Sequence, residues 1–161
     1  MFKLYKKSFN MGLLFFIAGI LSILSFPCNP LVLFKVIKPL DVKVLWYMGW
    51  VIWGFGMTLI GLAYYYIYIR KTAVLIKHGI YKVIRHPLYL GWVLSIFIAN
   101  IFLNQHWIFI VIGIPGIITL YLISIEEERI NVKQFGNSYK SYMKMVPRMN
   151  IILGFIKIIK K

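Results

Sequence analysis

A run without any Asp, Glu, Lys or Arg extends from Leu88 to Ile125, and it constrains the fold more than any other feature. As one helix, at about 1.5 Å per residue, this run would be nearly twice as long as a bilayer core is thick. The polar triplet Asn104-Gln105-His106 lies near its middle. The run is therefore predicted to fold as a hairpin of two membrane-spanning helices that turns at this triplet and returns Glu126 to the side of Arg85.

The composition agrees with a membrane protein. Of the 161 residues, 61% are hydrophobic and only 14% are charged, and the mean hydropathy is +0.80. A soluble chain of this length could not bury so much apolar surface. We therefore predict an all-α integral membrane protein in which residues 1–161 form one membrane domain.

The charge is strongly basic, with 19 Lys and Arg against four acids and a net charge of +15. The cations flank apolar runs, which is typical of cytoplasmic loops and of contacts with anionic lipid. Membrane lipid is therefore the expected partner, and nucleic acid is not. Cys28 is the single cysteine, so no internal disulfide can form, and no metal site is expected.

About four membrane-spanning helices are expected, with both termini on the cytoplasmic side of the cell membrane. The first apolar run lacks a small-residue cleavage site, so it is predicted to be a retained span rather than a signal peptide. Gly54, Thr58 and Gly61 would give the second span a small-residue face for close helix packing. The tail, residues 151–161, is predicted to be an interfacial helix on anionic headgroups. The predicted spans are residues 11–26, 44–69, 88–103 and 107–125, and the predicted cytoplasmic segments are 70–87 and 126–150.

The stretch Gly79–Gly91, here called the basic segment, reads G-I-Y-K-V-I-R-H-P-L-Y-L-G. Arg85 and His86 carry donors suited to a carboxylate or a phosphate. Pro87 favours a break in the chain before the next helix. An ordinary basic loop at the start of a helix is the alternative interpretation.

Three of the four acids are consecutive, and residues 126–128 are here called the acidic segment. On a helix, Glu127 shares the face of Ile123 and Leu120, so it is predicted to point inward. Glu126 or Glu128 would instead meet Arg129, Lys133 or headgroup water. A solvated acidic cap is the alternative. If the hairpin forms, the basic and acidic segments meet at one membrane face and build a single site.

These segments, together with F-G-N-S-Y-K-S-Y-M-K-M-V-P-R near the C-terminus, resemble a family of integral membrane methyltransferases. The family includes isoprenylcysteine carboxyl methyltransferase and related phospholipid methyltransferases, and the resemblance covers roughly residues 73–148. It implies a helical bundle that binds S-adenosylmethionine and catalyses O- or N-methyl transfer to a lipid-like or prenylated acceptor at the cytoplasmic face.

The resemblance also implies roles for individual residues. Arg85 and Glu127 are the expected catalytic residues. Ile123 occupies the position where prenylcysteine enzymes carry an Arg for the substrate carboxylate, and Arg148 could take over that contact, so both are assigned to substrate binding. The expected cofactor-binding residues are Val74, Leu75, Ile76, Tyr81, His86, Pro87, Leu88, Tyr89 and Glu127.

Two other functions are compatible with these residues. A sterol-reductase-like enzyme that uses NADPH has a similar His-Pro-x-Tyr element, although it resembles H-P-N-Y more than H-P-L-Y. A non-catalytic membrane protein that retains the fold is the third possibility.

Overall fold

The computed structural model describes residues 9–25, 40–69 and 75–160, and these form a bundle of helices. Val74 and Cys28 lie outside the described residues. The helices are α1 (Phe9–Leu24), α2 (Lys43–Tyr64), α3 (Pro87–Asn104), α4 (Trp107–Phe135), α5 (Asn137–Met145) and α6 (Ile151–Ile159). The middle of α3, Val93–Ile98, is π-helical. Helix α2 continues into a π-helical turn, Tyr65–Ile69, and a short 3-10 turn, Gly79–Lys82, precedes α3.

Three of the described helices are long and apolar enough to cross a membrane. They are α2 with its extension to Ile67, then α3 and α4, and the apolar part of α1, Met11–Leu24, is shorter. Many of their large apolar side chains are exposed, which suits contact with lipid tails. The prediction of an all-α integral membrane fold is therefore confirmed.

The predicted hairpin is present, and α3 and α4 are joined at Gln105 and His106. Gln105 adopts a left-handed backbone conformation with a φ of 46°, which ends α3. His106 caps α4, because its Nδ1 accepts the backbone N–H of Ile108 at 3.3 Å. The Gln105 amide also bonds both backbone groups of Val42, at 2.9 Å each, so it ties the turn to the start of α2.

Helices α2 and α3 cross closely at two glycines. An added Cβ on Gly56 would collide with the Gly91 carbonyl, and one on Gly91 would collide with the Gly56 carbonyl. The predicted packing face of Gly54, Thr58 and Gly61 is not used among the described residues, since added Cβ atoms at Gly54 and Gly61 meet none of them and Thr58 is exposed. The close contacts of α2 lie on a different face.

The acidic segment lies in the middle of α4 rather than at its end. Helix α4 runs without interruption to Phe135, where Gly136 ends it with a φ of 54°. Its apolar part packs on α1 and α3 through a core that includes Met11, Phe97 and Leu120. This packing fixes the rotation of α4 and therefore the direction in which each glutamate points.

Candidate active site

The basic segment forms a compact turn at the start of α3. Gly79 has a φ of 60°, and the ring of Tyr66 from the π-helical turn after α2 lies so close that an added Cβ would collide with it. His86 is the N-cap residue of α3 and Pro87 is its first residue, so the predicted break before the helix is present.

The basic segment is held by the chain that follows α5. The backbone N–H of Arg85 donates to the carbonyl of Pro147 at 3.0 Å, and that of His86 donates to the carbonyl of Arg148 at 3.1 Å. These bonds pair residues 85–86 with residues 147–148, and the segment 147–148 is here called the strap. The strap brings the Arg148 side chain to the acidic segment.

Glu128 is the centre of the charged groups. It is 3% exposed and accepts two hydrogen bonds from Arg148, from Nε at 3.0 Å and from Nη2 at 2.6 Å. Its Oε1 also lies 3.2 Å from Arg85 Nη1 and 3.2 Å from His86 Nε2. Of the two acids expected to meet Arg129, Lys133 or headgroup water, Glu128 instead lies in this buried cluster. The reason is the strap, which delivers a second arginine from the distant C-terminal part of the chain.

The other two glutamates have different surroundings. Glu127 lies 3.5 Å from His86 Nδ1 through its Oε2 and lines an adjacent pocket. Glu126 pairs with Arg129 on the surface of the helix, one of its predicted partners. The acidic segment thus contains a surface pair, a pocket carboxylate and a buried carboxylate in consecutive positions.

The pocket lies between the basic segment, α4 and α5. The space between its lining residues is about 580 Å³ when the part that is open to solvent is counted. Aromatic side chains supply much of the wall, and the Tyr142 hydroxyl donates to the backbone carbonyl of Tyr81 at 2.6 Å. The lining residues are Ile67, Leu75, Ile76, Tyr81, Arg85, His86, Glu127, Asn131, Phe135, Tyr139 and Tyr142.

The environment changes the protonation of several groups at this site. Burial would lower the pKa of His86, but its hydrogen bonds to Glu127 and Glu128 outweigh burial and raise the pKa above its ordinary value. Burial raises the pKa of Tyr81 and, to about 12, that of Tyr139, so both phenols stay neutral. The site therefore favours a protonated His86 between two carboxylates and neutral aromatic walls.

The structure brings most of the predicted site residues together. Pro87, Leu88 and Tyr89 begin α3 and do not line the pocket, although the Tyr89 ring stacks on His86 with centroids 5.6 Å apart. Those that line the pocket are Leu75, Ile76, Tyr81, Arg85, His86 and Glu127.

The two predicted substrate-binding residues do not line the pocket. Ile123 is fully buried in the apolar core with Phe97 and Leu120, so its side chain fills the interior. Arg148 is bound to Glu128, and its guanidinium carbon lies 5.0 Å from the centre of the Tyr121 ring.

Several residues at the site were not assigned from the sequence. Asn131 and Phe135 follow Glu127 at intervals of four residues, which places them on the same face of α4. Tyr139 and Tyr142 are three residues apart on α5 and are both buried. Helical spacing from Glu127 would have found the first pair, whereas the second pair depends on how α5 folds back.

The helices define an integral membrane protein, and the buried ionic cluster beside an aromatic pocket gives it a candidate binding site at one end of the bundle. Residues 55–134 match the model of the isoprenylcysteine carboxyl methyltransferase family. This match supports a membrane methyltransferase that is similar to isoprenylcysteine carboxyl methyltransferase. No solved structure matches the chain significantly.

A curated relative adds to this assignment. The chain is similar to a protein of Crocosphaera subtropica named methanethiol S-methyltransferase, with 31% identity over 119 residues. The matched part is 66% of this chain and 45% of that relative. The chain thus corresponds to less than half of the relative's length.

Proposed function

We propose that this protein is an S-adenosylmethionine-dependent methyltransferase that modifies a lipid-like or prenylated acceptor at the cytoplasmic face of the cell membrane, with both termini on that side. The observation that carries the proposal is the convergence of Arg85, His86 and Glu127 on one aromatic-walled pocket. The match to a methyltransferase family supports the reaction type.

The residues of the pocket fit S-adenosylmethionine. Arg85 Nε is buried and has no hydrogen-bond partner among the described residues, and a buried donor of this kind is costly unless it is paired. The cofactor's carboxylate is a suitable acceptor for it. Glu127 offers an acid for the cofactor's ammonium or ribose hydroxyls, and Tyr81 offers an aromatic face for adenine or the sulfonium.

When bound, S-adenosylmethionine would supply an electrophilic methyl group on a sulfonium. The protein's own contribution is mainly to position the reactants, which can account for a large part of the rate of such a displacement. His86 is fixed between Glu127 and Glu128 and forms one side of the pocket. Glu127 is a pocket carboxylate that can receive a proton from an acceptor that must lose one.

A thiol is a second candidate for the acceptor. A carboxylate acceptor would need a cation beside it, but Ile123 is apolar and buried in the core, and Arg148 is engaged by Glu128. A neutral thiol carries no charge that needs such a cation. The relative's name, methanethiol S-methyltransferase, favours the same acceptor chemistry.

The test measures methyl transfer and cofactor binding with the full chain. Membranes with and without the protein receive S-adenosylmethionine labelled in its methyl group, and the label is sought in phospholipid, in a prenylcysteine analogue and in a small thiol. Label that depends on the protein supports the reaction and identifies the acceptor. Binding of NADPH without binding of S-adenosylmethionine would overturn the proposal in favour of a reductase.

Binding to variants tests the site itself. We expect His86→Ala and Glu127→Ala each to weaken S-adenosylmethionine binding about tenfold, or about 1.4 kcal/mol. The matched control is Glu126→Ala, which removes the neighbouring carboxylate that pairs with Arg129 outside the pocket. Calorimetry that gives wild-type affinity for both site variants would refute this site assignment.

A further inference from the structure

The C-terminal helix α6 is fastened to the basic segment through a single glycine. Gly154 is buried, and an added Cβ there would collide with the backbone carbonyl of Val83. Val83 lies two residues before Arg85 in the segment that forms the pocket. Helix α6 is therefore in direct contact with the part of the chain that carries the site.

The opposite face of α6 is apolar and exposed. At about 100° per residue, Ile152, Phe155, Ile156 and Ile159 lie on the side of the helix away from Gly154. Ile152 is 74% exposed and Ile159 is 82% exposed. Exposed apolar patches of this kind mark surfaces that bind a partner.

Exposed lysines on α6 and α5 point to anionic lipid as that partner. Lys160 is exposed at the end of α6, and Lys140 and Lys144 are exposed on α5. A short helix with an apolar face and flanking lysines is suited to the interface of a membrane that contains anionic headgroups. Nine residues are too few to cross a bilayer, so α6 would lie along its surface.

Helix α6 is also continuous with the strap. It begins three residues after Arg148, and Asn150 caps it by accepting the backbone N–H of Leu153 at 2.9 Å. The strap in turn bonds the backbone of Arg85 and His86, and its Arg148 side chain binds Glu128. A force that holds α6 in place therefore also holds the strap against the basic segment.

We propose that the apolar face of α6 docks into an anionic membrane surface, and that this docking stabilises the pairing of the strap with Arg85 and His86. The membrane thereby keeps the site assembled. The docking does not depend on the reaction that the site catalyses, whereas its consequence for methyl transfer rests on the proposed function.

The first measurement detects docking. The full chain carrying Cys28→Ser and Ile159→Cys is labelled with a fluorophore and placed in nanodiscs of zwitterionic lipid, with or without anionic lipid. A spin label near the lipid headgroups should quench the fluorophore, and more strongly when anionic lipid is present. Equal fluorescence with and without the spin label would overturn docking, and equal quenching in both lipid mixtures would overturn the preference for anionic lipid.

The second measurement detects the coupling. Hydrogen exchange at the backbone amides of Arg85 and His86 should be about tenfold faster in Ile159→Glu than in the parent, which corresponds to about 1.4 kcal/mol of local opening free energy. Gln134→Glu, which adds the same charge at an exposed position on α4, should leave this exchange unchanged. Equal exchange in Ile159→Glu and the parent would overturn the coupling.

These readouts separate this proposal from the proposed function. Neither fluorescence quenching nor amide exchange requires S-adenosylmethionine. A chain that docks and shows the expected exchange, but does not bind the cofactor, would contradict the proposed function and leave the docking of α6 standing.

Discussion

The two ends of α3 both bury polar groups, but they do so in different ways. At its C-terminal end the buried groups are amides. Asn104 Nδ2 donates to the backbone and side-chain oxygens of Asn100, and Gln105 bonds both backbone groups of Val42. At its N-terminal end the buried groups are ionic, with Glu128 between Arg85, His86 and Arg148. The C-terminal end, here called the amide end, is neutral. The N-terminal end, here called the ionic end, combines the negative charge of Glu128 with positive charges from other parts of the chain.

The difference separates a structural cluster from a candidate binding site. The amides find partners within the same helix or in nearby backbone, which is the usual way to satisfy buried polar groups. At the ionic end, not every buried donor has an acceptor, since Arg85 Nε has no hydrogen-bond partner among the described residues. It also borders a pocket. An excess of buried donors beside open space is what a bound anion would complete.

The largest expected effect comes from breaking the ionic end. Glu128→Gln removes the carboxylate that compensates Arg85 and Arg148, and leaving buried charges unpaired costs roughly 3–5 kcal/mol. The unfolding midpoint in detergent should therefore fall strongly. Glu126→Gln is the matched control, because its pair with Arg129 lies at the surface of the helix and is worth about 0–1 kcal/mol. Similar losses in the two variants would show that the burial of Glu128 has no energetic importance.

The position of Glu128 could not be predicted from the sequence, whereas that of the hairpin could. The hairpin depends on the length of an uncharged run and on one polar triplet, and both are visible along the chain. The environment of Glu128 depends on Arg85 and Arg148, which are 43 residues before it and 20 residues after it. Helical periodicity shows which residues share a face of one helix. It cannot show that a later segment folds back to supply a cation.

The glycines of α2 show the same limit. Gly49 and Gly56 are seven residues apart, and so are Gly54 and Gly61. Periodicity therefore could not distinguish the two pairs. The structure selects Gly49 and Gly56, because they meet Leu103 and Gly91 on α3. Which pair of glycines makes close contacts depends on the position of α3, and the local sequence of α2 does not show that position.

A smaller effect is expected at the amide end. Gln105→Ala removes both hydrogen bonds to Val42 and should cost about 1–3 kcal/mol, because the backbone groups of Val42 lose their partner. The unfolding midpoint should fall, while S-adenosylmethionine affinity measured by calorimetry should stay at the parent value. Gln105→Gly should be less destabilised than Gln105→Ala, since glycine adopts the left-handed backbone without strain. A loss of cofactor affinity in Gln105→Ala would contradict the separation of the two ends.

The smallest effect should appear as a dependence of stability on pH. Of the four charged groups at the ionic end, only His86 is expected to change its charge near neutral pH. Hydrogen bonds to Glu127 and Glu128 outweigh burial and raise the pKa of His86 above its ordinary value of about 6.5. A raised pKa in the folded state means that protonated His86 contributes stability fully below about pH 6.5, and that this contribution is lost as the pH rises through the folded-state pKa. The unfolding midpoint should therefore decline with rising pH above about 6.5, and His86→Gln should flatten the decline. Gln105→Ala should keep the parent's slope, because it does not contact His86. If His86→Gln kept that slope as well, the titrating group would lie outside the ionic end, and the contrast between the two ends of α3 would not extend to protonation.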